Sequence, residues 1–177
     1  MAAYVAFLRG INLGNRRVKM AELARLFEEM NFGAVSTFIA SGNVLFESDS
    51  VDHVALERQI EGHLESALGY SVDTFVRTRD EVAAVVAFAP FAAREMEDPA
   101  NTIHVGFRKV TLDGEAGRLL EAVRTETDEF RAEGREFYWL CRIRTSESTA
   151  WDLPDVRAAR LPTATMRNLK MLRRLVG

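Results

Sequence analysis

The chain has 177 residues, of which 47% are hydrophobic and 28% are charged, and its formal net charge is -3. These proportions are typical of a globular protein and exclude disorder of the whole chain, because there is ample apolar material to bury. The length fits one domain or two small ones that share an interface. The first residues lack a basic start, so we expect a strand there rather than a signal peptide, and no apolar run is long enough to cross a membrane.

The sequence has few residues of the kinds that indicate a catalytic, metal or cofactor site. A single cysteine, Cys141, excludes an intramolecular disulfide and is interpreted as a small buried hydrophobic residue. Together with the expectation of a strand rather than a signal peptide at the start, this favours the cytoplasm. The three histidines do not stand in metal-ligand spacing, and His104 is interpreted as structural. No Walker loop, GxSxG, GxGxxG or HExxH motif occurs. We therefore expect no metal and no cofactor, and the sequence specifies no reaction.

The first half of the chain predicts the order strand, helix, strand, strand, helix, strand. Apolar periodicity and turn residues place these elements at residues 4–9, 20–30, 35–39, 44–47, 52–68 and 72–77. Asp52 can cap the second helix, and Gly69 can end it. This order is that of the split βαβ, or ferredoxin-like, unit.

The second half repeats that order less cleanly. We expect a connecting helix at about residues 80–88, a loop between Pro90 and Pro99, a strand at 102–107, a helix at 115–125, a hairpin of 129–133 with 136–141, and a last helix at about 165–175. The fold class predicted is therefore α+β, with two ferredoxin-like subdomains, antiparallel sheets and a C-terminal helix. The subdomains are expected at residues 1–78 and 79–177, and their repeat is expected in element order only, not in individual residues.

Basic residues are concentrated at the two ends of the chain. Residues 1–21 hold four and residues 157–177 hold six, and neither segment holds an acidic residue. If the ends meet in space, they form a basic patch on an acidic body, which favours an anionic partner. The alternative is that both ends are ordinary solvated basic faces.

Several short motifs resemble those of a bacterial family called domain of unknown function 1697. They are Arg9-Gly10-Ile11-Asn12-Leu13-Gly14, Lys19-Met20, Ser41-Gly42-Asn43-Val44-Leu45-Phe46, Pro90-Phe91 and Thr165-Met166-Arg167-Asn168. The likeness is expected to run from about Tyr4 to Leu172, and it implies two ferredoxin-like subdomains without an assigned activity. The chain departs from the family pattern at Asn15, where a second glycine is usual, and at Leu169 and Met171, where a tryptophan and a threonine are usual.

The predicted sheet brings two of these motifs together. In a split βαβ unit the first two strands run parallel, so the loop after the first and the turn after the second leave the sheet at one edge. We therefore expect residues 9–17 to lie beside the turn at residues 41–43. Free backbone N–H groups, a helix N-terminus and arginines at one place suit an anion.

The sequence thus predicts a site for a small anionic or phosphorylated ligand. The candidate binding residues are Arg9, Asn12, Gly14, Arg16, Arg17, Ser41, Asn43, Arg167 and Asn168. The competing interpretation is structural, because glycines supply positive φ angles and asparagines close the hydrogen bonds of turns.

The last helix carries a separate expectation. Thr163 or Thr165 can cap it, and Arg167, Lys170 and Arg174 would then share one side. For Arg167 and Asn168 the favoured interpretation is that they tie this helix to the preceding turn.

Two further functions stay open. One is an enzyme of unknown reaction at the same loop. The other is a nucleic-acid or protein interaction module that uses the basic ends, with nucleic acid the weaker choice because the body of the chain is acidic. Exposed sheet edges can also pair two copies into a homodimer.

Overall fold

The computed structural model describes residues 1–39 and 42–177. The chain divides into two compact units, Met1–Ala84 and Val85–Gly177, and each contains one four-stranded antiparallel sheet. The predicted α+β fold with two similar subdomains is confirmed. No helix within the described residues is long and apolar enough to cross a membrane.

The first unit has the predicted element order. Its elements are β1 (Ala2–Leu8), α1 (Met20–Glu28), β2 (Gly33–Thr37), β3 (Asn43–Ser48), α2 (His53–Leu68) and β4 (Thr74–Thr78), followed by α3 (Arg79–Ala87), in which the division between the units falls. The strand order across the sheet is β2-β3-β1-β4. The central strand β1 is therefore flanked by β3 and β4, both antiparallel to it.

Local signals in the sequence account for the bounds of α2. The Asp52 carboxylate accepts hydrogen bonds from the backbone N–H groups of Val54 and Ala55, which satisfies two donors that a helix start leaves open. Gly69 ends the helix in the left-handed region at φ 77. The predicted cap and stop are therefore confirmed, and of the apolar face predicted from Leu56, Ile60, Leu64 and Leu68 the first three are buried and Leu68 is partly buried.

The second unit has the same sheet with different connections. Its elements are α4 (Ala93–Glu97), β5 (Thr102–Arg108), α5 (Gly114–Ala122), β6 (Asp128–Glu133), β7 (Glu136–Cys141), α6 (Pro154–Ala158), β8 (Ala164–Asn168) and α7 (Leu169–Val176). Two short 3-10 turns lie between β7 and α6. The strand order is β6-β7-β5-β8, which repeats that of the first unit.

The predicted start of the last helix is wrong, because residues 164–168 form β8. Within that strand Thr165 and Arg167 are buried while Met166 and Asn168 are exposed, which is the two-residue alternation of a strand. Asn168 caps the following helix, in place of Thr163 or Thr165. The strand runs into the helix without a glycine or proline, so the helical spacing of the leucines in α7 continues back to Met166 in the strand. The loop expected between Pro90 and Pro99 also contains the short α4.

The two sheets share residues as well as element order. Arg77 faces Val5 in the β1–β4 pair, and Arg167 faces Val105 in the β5–β8 pair. Both arginines are buried, and each donates a hydrogen bond to the carbonyl of the residue before it at 2.9 Å. One buried arginine therefore recurs at equivalent positions of the two sheets.

Candidate functional site

The β1–α1 loop, residues 9–19, lies against the turn that precedes β3. The backbone N–H of Leu8 donates to the Gly42 carbonyl at 2.8 Å. A Cβ atom at Gly42 would lie 2.9 Å from the Ile11 side chain and 3.2 Å from the Leu8 carbonyl, and φ at Gly42 is 76. Glycine is therefore required for this close approach. The two segments lie side by side as the sheet order predicts, while Ser41 lies outside the described residues.

The two asparagines that the first unit contributes to the predicted site support the backbone. The Asn12 Oδ1 atom accepts from the Val18 backbone N–H at 2.7 Å, which holds the end of the loop before α1. Asn43 is fully buried, and its Nδ2 atom donates to the Phe38 carbonyl at 2.9 Å. The turn interpretation of the sequence therefore describes what these side chains do, and a ligand-binding role for either stays a prediction.

Arg17 holds the loop closed from within. Its Nη1 atom donates to the carbonyl oxygens of Asn12, Gly14 and Arg16 at 3.1, 3.0 and 2.7 Å. Gly14 itself has φ 59, and the space where its side chain would stand is open. The guanidinium is exposed, so it fixes the loop while its charge faces solvent.

Arg16 and Arg9 are placed by the segment that leads into β4. The Arg16 guanidinium carbon lies 4.4 Å from the centre of the Tyr70 ring, a cation–π arrangement. The Tyr70 hydroxyl donates to the Ile11 carbonyl at 3.1 Å, which fixes the ring beside the loop. Arg9 forms an ion pair with Asp73 at 3.5 Å, with both side chains about half exposed.

Sequence reasoning missed Tyr70 and Asp73. Neither residue belongs to a recognisable motif, and both lie far along the chain from the loop. A topological signal was available, since β4 runs beside β1 in a ferredoxin-like sheet and begins at the edge where β1 ends. The residues just before β4 must therefore lie near the β1–α1 loop.

The charges of Arg16 and Arg17 are not neutralised by carboxylates. Within residues 1–39 and 42–177, neither guanidinium has an acidic side chain at ion-pair distance. Arg25, on α1 of the same unit, pairs instead with both Glu22 and Glu29. The first helix adds to the positive character of the corner, because α1 begins after Lys19 with no side-chain cap.

Arg167 and Asn168 belong to the second unit and have structural partners there. The Arg167 Nη1 atom donates to the Thr165 hydroxyl at 2.7 Å, and burial lowers the pKa of Arg167 to about 10. The Asn168 Oδ1 atom accepts from the Lys170 backbone N–H at 2.8 Å, so this side chain caps α7. The expected shared side of Arg167, Lys170 and Arg174 is wrong, because Arg167 lies in β8. Asn168 thus ties the last helix to the segment before it, as the favoured interpretation expects, whereas the contacts of Arg167 given above lie within β8.

A buried polar cluster lies at the end of β7 in the second unit. The Asp128 carboxylate accepts from Trp139 Nε1 at 2.8 Å and from the Ser148 hydroxyl at 2.7 Å. Cys141 is buried as predicted, its thiol donates to the Ile143 carbonyl, and burial raises the pKa of this thiol. Burial and a raised pKa are typical of a cysteine that serves packing, which agrees with the interpretation from the sequence.

His104 is half-buried on β5 beside this cluster. Its Nε2 atom lies 3.1 Å from the Thr145 hydroxyl, and its ring stacks on Trp139 with centroids 4.9 Å apart. Burial lowers the pKa of His104, which favours the neutral ring near pH 7. These contacts support the structural interpretation of this histidine.

Comparisons with known proteins agree with the fold. The structure of a conserved bacterial protein from Streptococcus pneumoniae matches with a TM-score of 0.76 at 20% identity, covering 99% of this chain and 97% of that chain. No curated protein matches the chain. The model of the family described as "Protein of unknown function (DUF1697)" matches residues 1–138, so it stops short of the predicted likeness to Leu172 and of the Thr165–Asn168 motif. Since that match spans most of the chain and includes the whole first unit, the protein belongs to the DUF1697 family.

Proposed function

We propose that the β1–α1 loop, with the adjoining turn before β3, binds a small anionic or phosphorylated ligand. One observation carries this proposal: the guanidinium groups of Arg16 and Arg17 are fixed by neutral partners. An aromatic ring holds the first, and three carbonyl oxygens hold the second. Their positions are thus set in advance, while their charges stay available to an anion.

The surroundings of the two arginines support the same function. Lys19 and the uncapped start of α1 add positive charge at the end of the loop. Gly14 leaves open space where a side chain would otherwise stand. Because the groups are exposed and solvent screens them, we expect modest affinity, on the order of millimolar for inorganic phosphate.

Inorganic phosphate is the first probe. Titration of the full chain, followed by NMR, should shift the backbone amides of Gly10 and Gly14 with saturable behaviour. Arg16→Gln should weaken the binding about fivefold or more, because one charge-assisted contact is lost. The matched control is Arg58→Gln on α2, an exposed arginine that also has no ion-pair partner among the described residues, and it should leave the affinity unchanged. Unshifted loop amides at millimolar phosphate would exclude the proposed function.

A second variant separates charge from loop geometry. Arg17→Lys keeps the positive charge but replaces the guanidinium, whose Nη1 atom makes all three carbonyl contacts, with an ammonium on a shorter side chain. We expect weaker phosphate binding together with broadened loop signals. The salt dependence of binding separates this loop site from the alternative of a nucleic-acid surface. The affinity of such a surface for nucleic acid would fall by orders of magnitude between low and moderate salt.

A further inference from the structure

Exposed apolar side chains accompany the basic groups of this corner. Leu13 is 69% exposed, and it lies in the same turn as Arg16, whose backbone N–H donates to the Leu13 carbonyl at 3.0 Å. Ile39 is 45% exposed and belongs to the neighbouring turn, which the Phe38 and Asn43 backbones close at 2.9 Å. Single exposed apolar residues are ordinary, but here one stands on the loop that carries Arg16 and Arg17, and the other stands on the segment that adjoins this loop.

The conformation of Ile39 is costly. Its φ is 58, in the left-handed region that a β-branched side chain rarely adopts. Glycine supplies positive φ at three other positions of this corner, Gly10, Gly14 and Gly42. Isoleucine at Ile39 therefore combines backbone strain with an exposed apolar side chain, and such strained positions concentrate at ligand sites.

We infer that the ligand of this site is an amphipathic anion, with a phosphate or carboxylate head and a short alkyl chain. The inference rests on the proposed function, which supplies the site for the head group at Arg16 and Arg17. The chain of the ligand would then cover Leu13 and Ile39 and remove their apolar surface from water. Such burial adds affinity that inorganic phosphate cannot obtain.

The decisive experiment compares inorganic phosphate with butyl phosphate on the full chain at one pH and ionic strength. Butyl phosphate should bind about tenfold more tightly, since burying two methylene groups is sufficient for this gain. Leu13→Ser should reduce the advantage of butyl phosphate over inorganic phosphate to about threefold or less. The matched control is Val54→Ser, which changes an apolar residue that is 52% exposed on α2, and it should preserve the full advantage.

The outcomes separate the two proposals. If phosphate binds and butyl phosphate binds no more tightly, the inference is overturned and the proposed function stands. If neither binds, the proposed function fails and the inference with it. Butanol, which lacks the charged head, should not bind, and a response to it equal to that of butyl phosphate would also overturn the inference.

A second variant guards against disturbance of the loop by Leu13→Ser. Ile39→Gly removes an apolar side chain and relaxes the backbone strain, so the protein should unfold at the same or a higher urea concentration. It should lower the advantage of butyl phosphate as Leu13→Ser does. An undiminished tenfold advantage in both variants would overturn the inference.

Discussion

The two units share one sheet and differ in the connection that follows their first strand. In the first unit the β1–α1 connection spans residues 9–19, whereas in the second the β5–α5 connection spans only residues 109–113. The longer loop carries Arg16 and Arg17, which rest on a ring and on carbonyl oxygens. The scaffold is therefore common to both units, while the candidate site comes from the longer loop of the first unit.

Two arginines of the second unit hold structure together. Arg142 pairs with Glu95 at 3.1 Å and with Glu129 at 2.9 Å, so it joins α4 to the β6–β7 hairpin. Arg131 pairs with Glu129 at 2.6 Å in the same network. Carboxylates already satisfy these cations, which therefore have little charge to offer a ligand.

Equivalent positions of the two sheets also carry related pairs of rings. Tyr4 stacks on Phe46 across β1 and β3, and His104 stacks on Trp139 across β5 and β7. Each first partner also anchors the chain that follows its neighbouring strand: Tyr4 donates to the Ser50 carbonyl, and His104 contacts the Thr145 hydroxyl. A tyrosine hydroxyl thus holds the segment after β3 in the first unit, and a histidine ring holds the segment after β7 in the second.

The largest effect on stability is expected at a pair of facing residues whose sizes differ between the two sheets. Ala6 faces Val44 in the first, and Gly106 faces Phe137 in the second. A Cβ atom at Gly106 would lie 2.1 Å from two carbons of the Phe137 ring. Gly106→Ala should therefore lower the free energy of unfolding in urea by about 3 kcal/mol, because ring or strand must move.

Ala6→Gly is the matched change in the first unit. It creates no clash and should cost only about 1 kcal/mol, from backbone entropy and a lost methyl group. Equal losses in the two variants would contradict the assignment of Gly106 as space for the ring.

The next effect concerns the buried polar cluster, which has an apolar counterpart in the first unit. Trp139 needs the Asp128 carboxylate as acceptor, whereas Phe46, at the equivalent position, has no polar atom to satisfy. Asp128→Ala leaves the buried indole N–H and the Ser148 hydroxyl without this acceptor, so we expect a loss of about 2 kcal/mol in urea unfolding.

A double-mutant cycle checks the cause. Trp139→Phe removes the donor, so Asp128→Ala should cost less in that background than in the wild type. Strictly additive losses would show that the indole hydrogen bond does not account for the effect.

A smaller effect on stability is expected from pH, because the ring pair of the second unit contains His104 and that of the first does not. Burial lowers the pKa of His104, so the unfolded chain binds the proton first as pH falls. The stability associated with the neutral ring is present above the ordinary value of 6.5 and is lost as pH falls below it. Between pH 8 and pH 5 the urea midpoint should therefore fall, and His104→Gln should reduce that fall.

The acidic network does not obscure this window. Hydrogen bonds from Arg142 lower the pKa of Glu95, and those from Arg142 and Arg131 outweigh burial to lower that of Glu129, so both titrate below their ordinary 4.5. An unchanged fall in His104→Gln would assign the pH dependence to other groups.

The smallest effects are expected on the helices, where the units should behave alike. Gly62 in α2 and Gly117 in α5 both have open space where a Cβ would stand. Each change to alanine should raise the free energy of unfolding by about 0.5 to 1 kcal/mol, through helix propensity and lower entropy of the unfolded chain. Gly69→Ala, at φ 77, should instead lower it by about 1 kcal/mol, and urea unfolding distinguishes the two signs.

Much of the first unit could be predicted from the sequence, because its signals are local. The cap at Asp52 and the stop at Gly69 depend on residues within one turn of the helix they bound. The β8 strand could not be predicted in this way, because its five residues become a strand only by pairing with β5, far away along the chain. Its apolar spacing alone also fits the helix that follows.

For the candidate site, too, the sequence predicted one part, and only the tertiary structure determined the other. Composition and sheet order were enough to place the basic loop beside the turn at Gly42, since parallel strands of a split βαβ unit end at one edge. Only the tertiary structure decided which side chains there hold the backbone and which keep a charge exposed. Tyr70 holds the Arg16 guanidinium without neutralising it, whereas Asp73 pairs with Arg9. Whether an arginine charge is paired depends on the groups that fold against it, and both of these residues are distant from the loop in the chain.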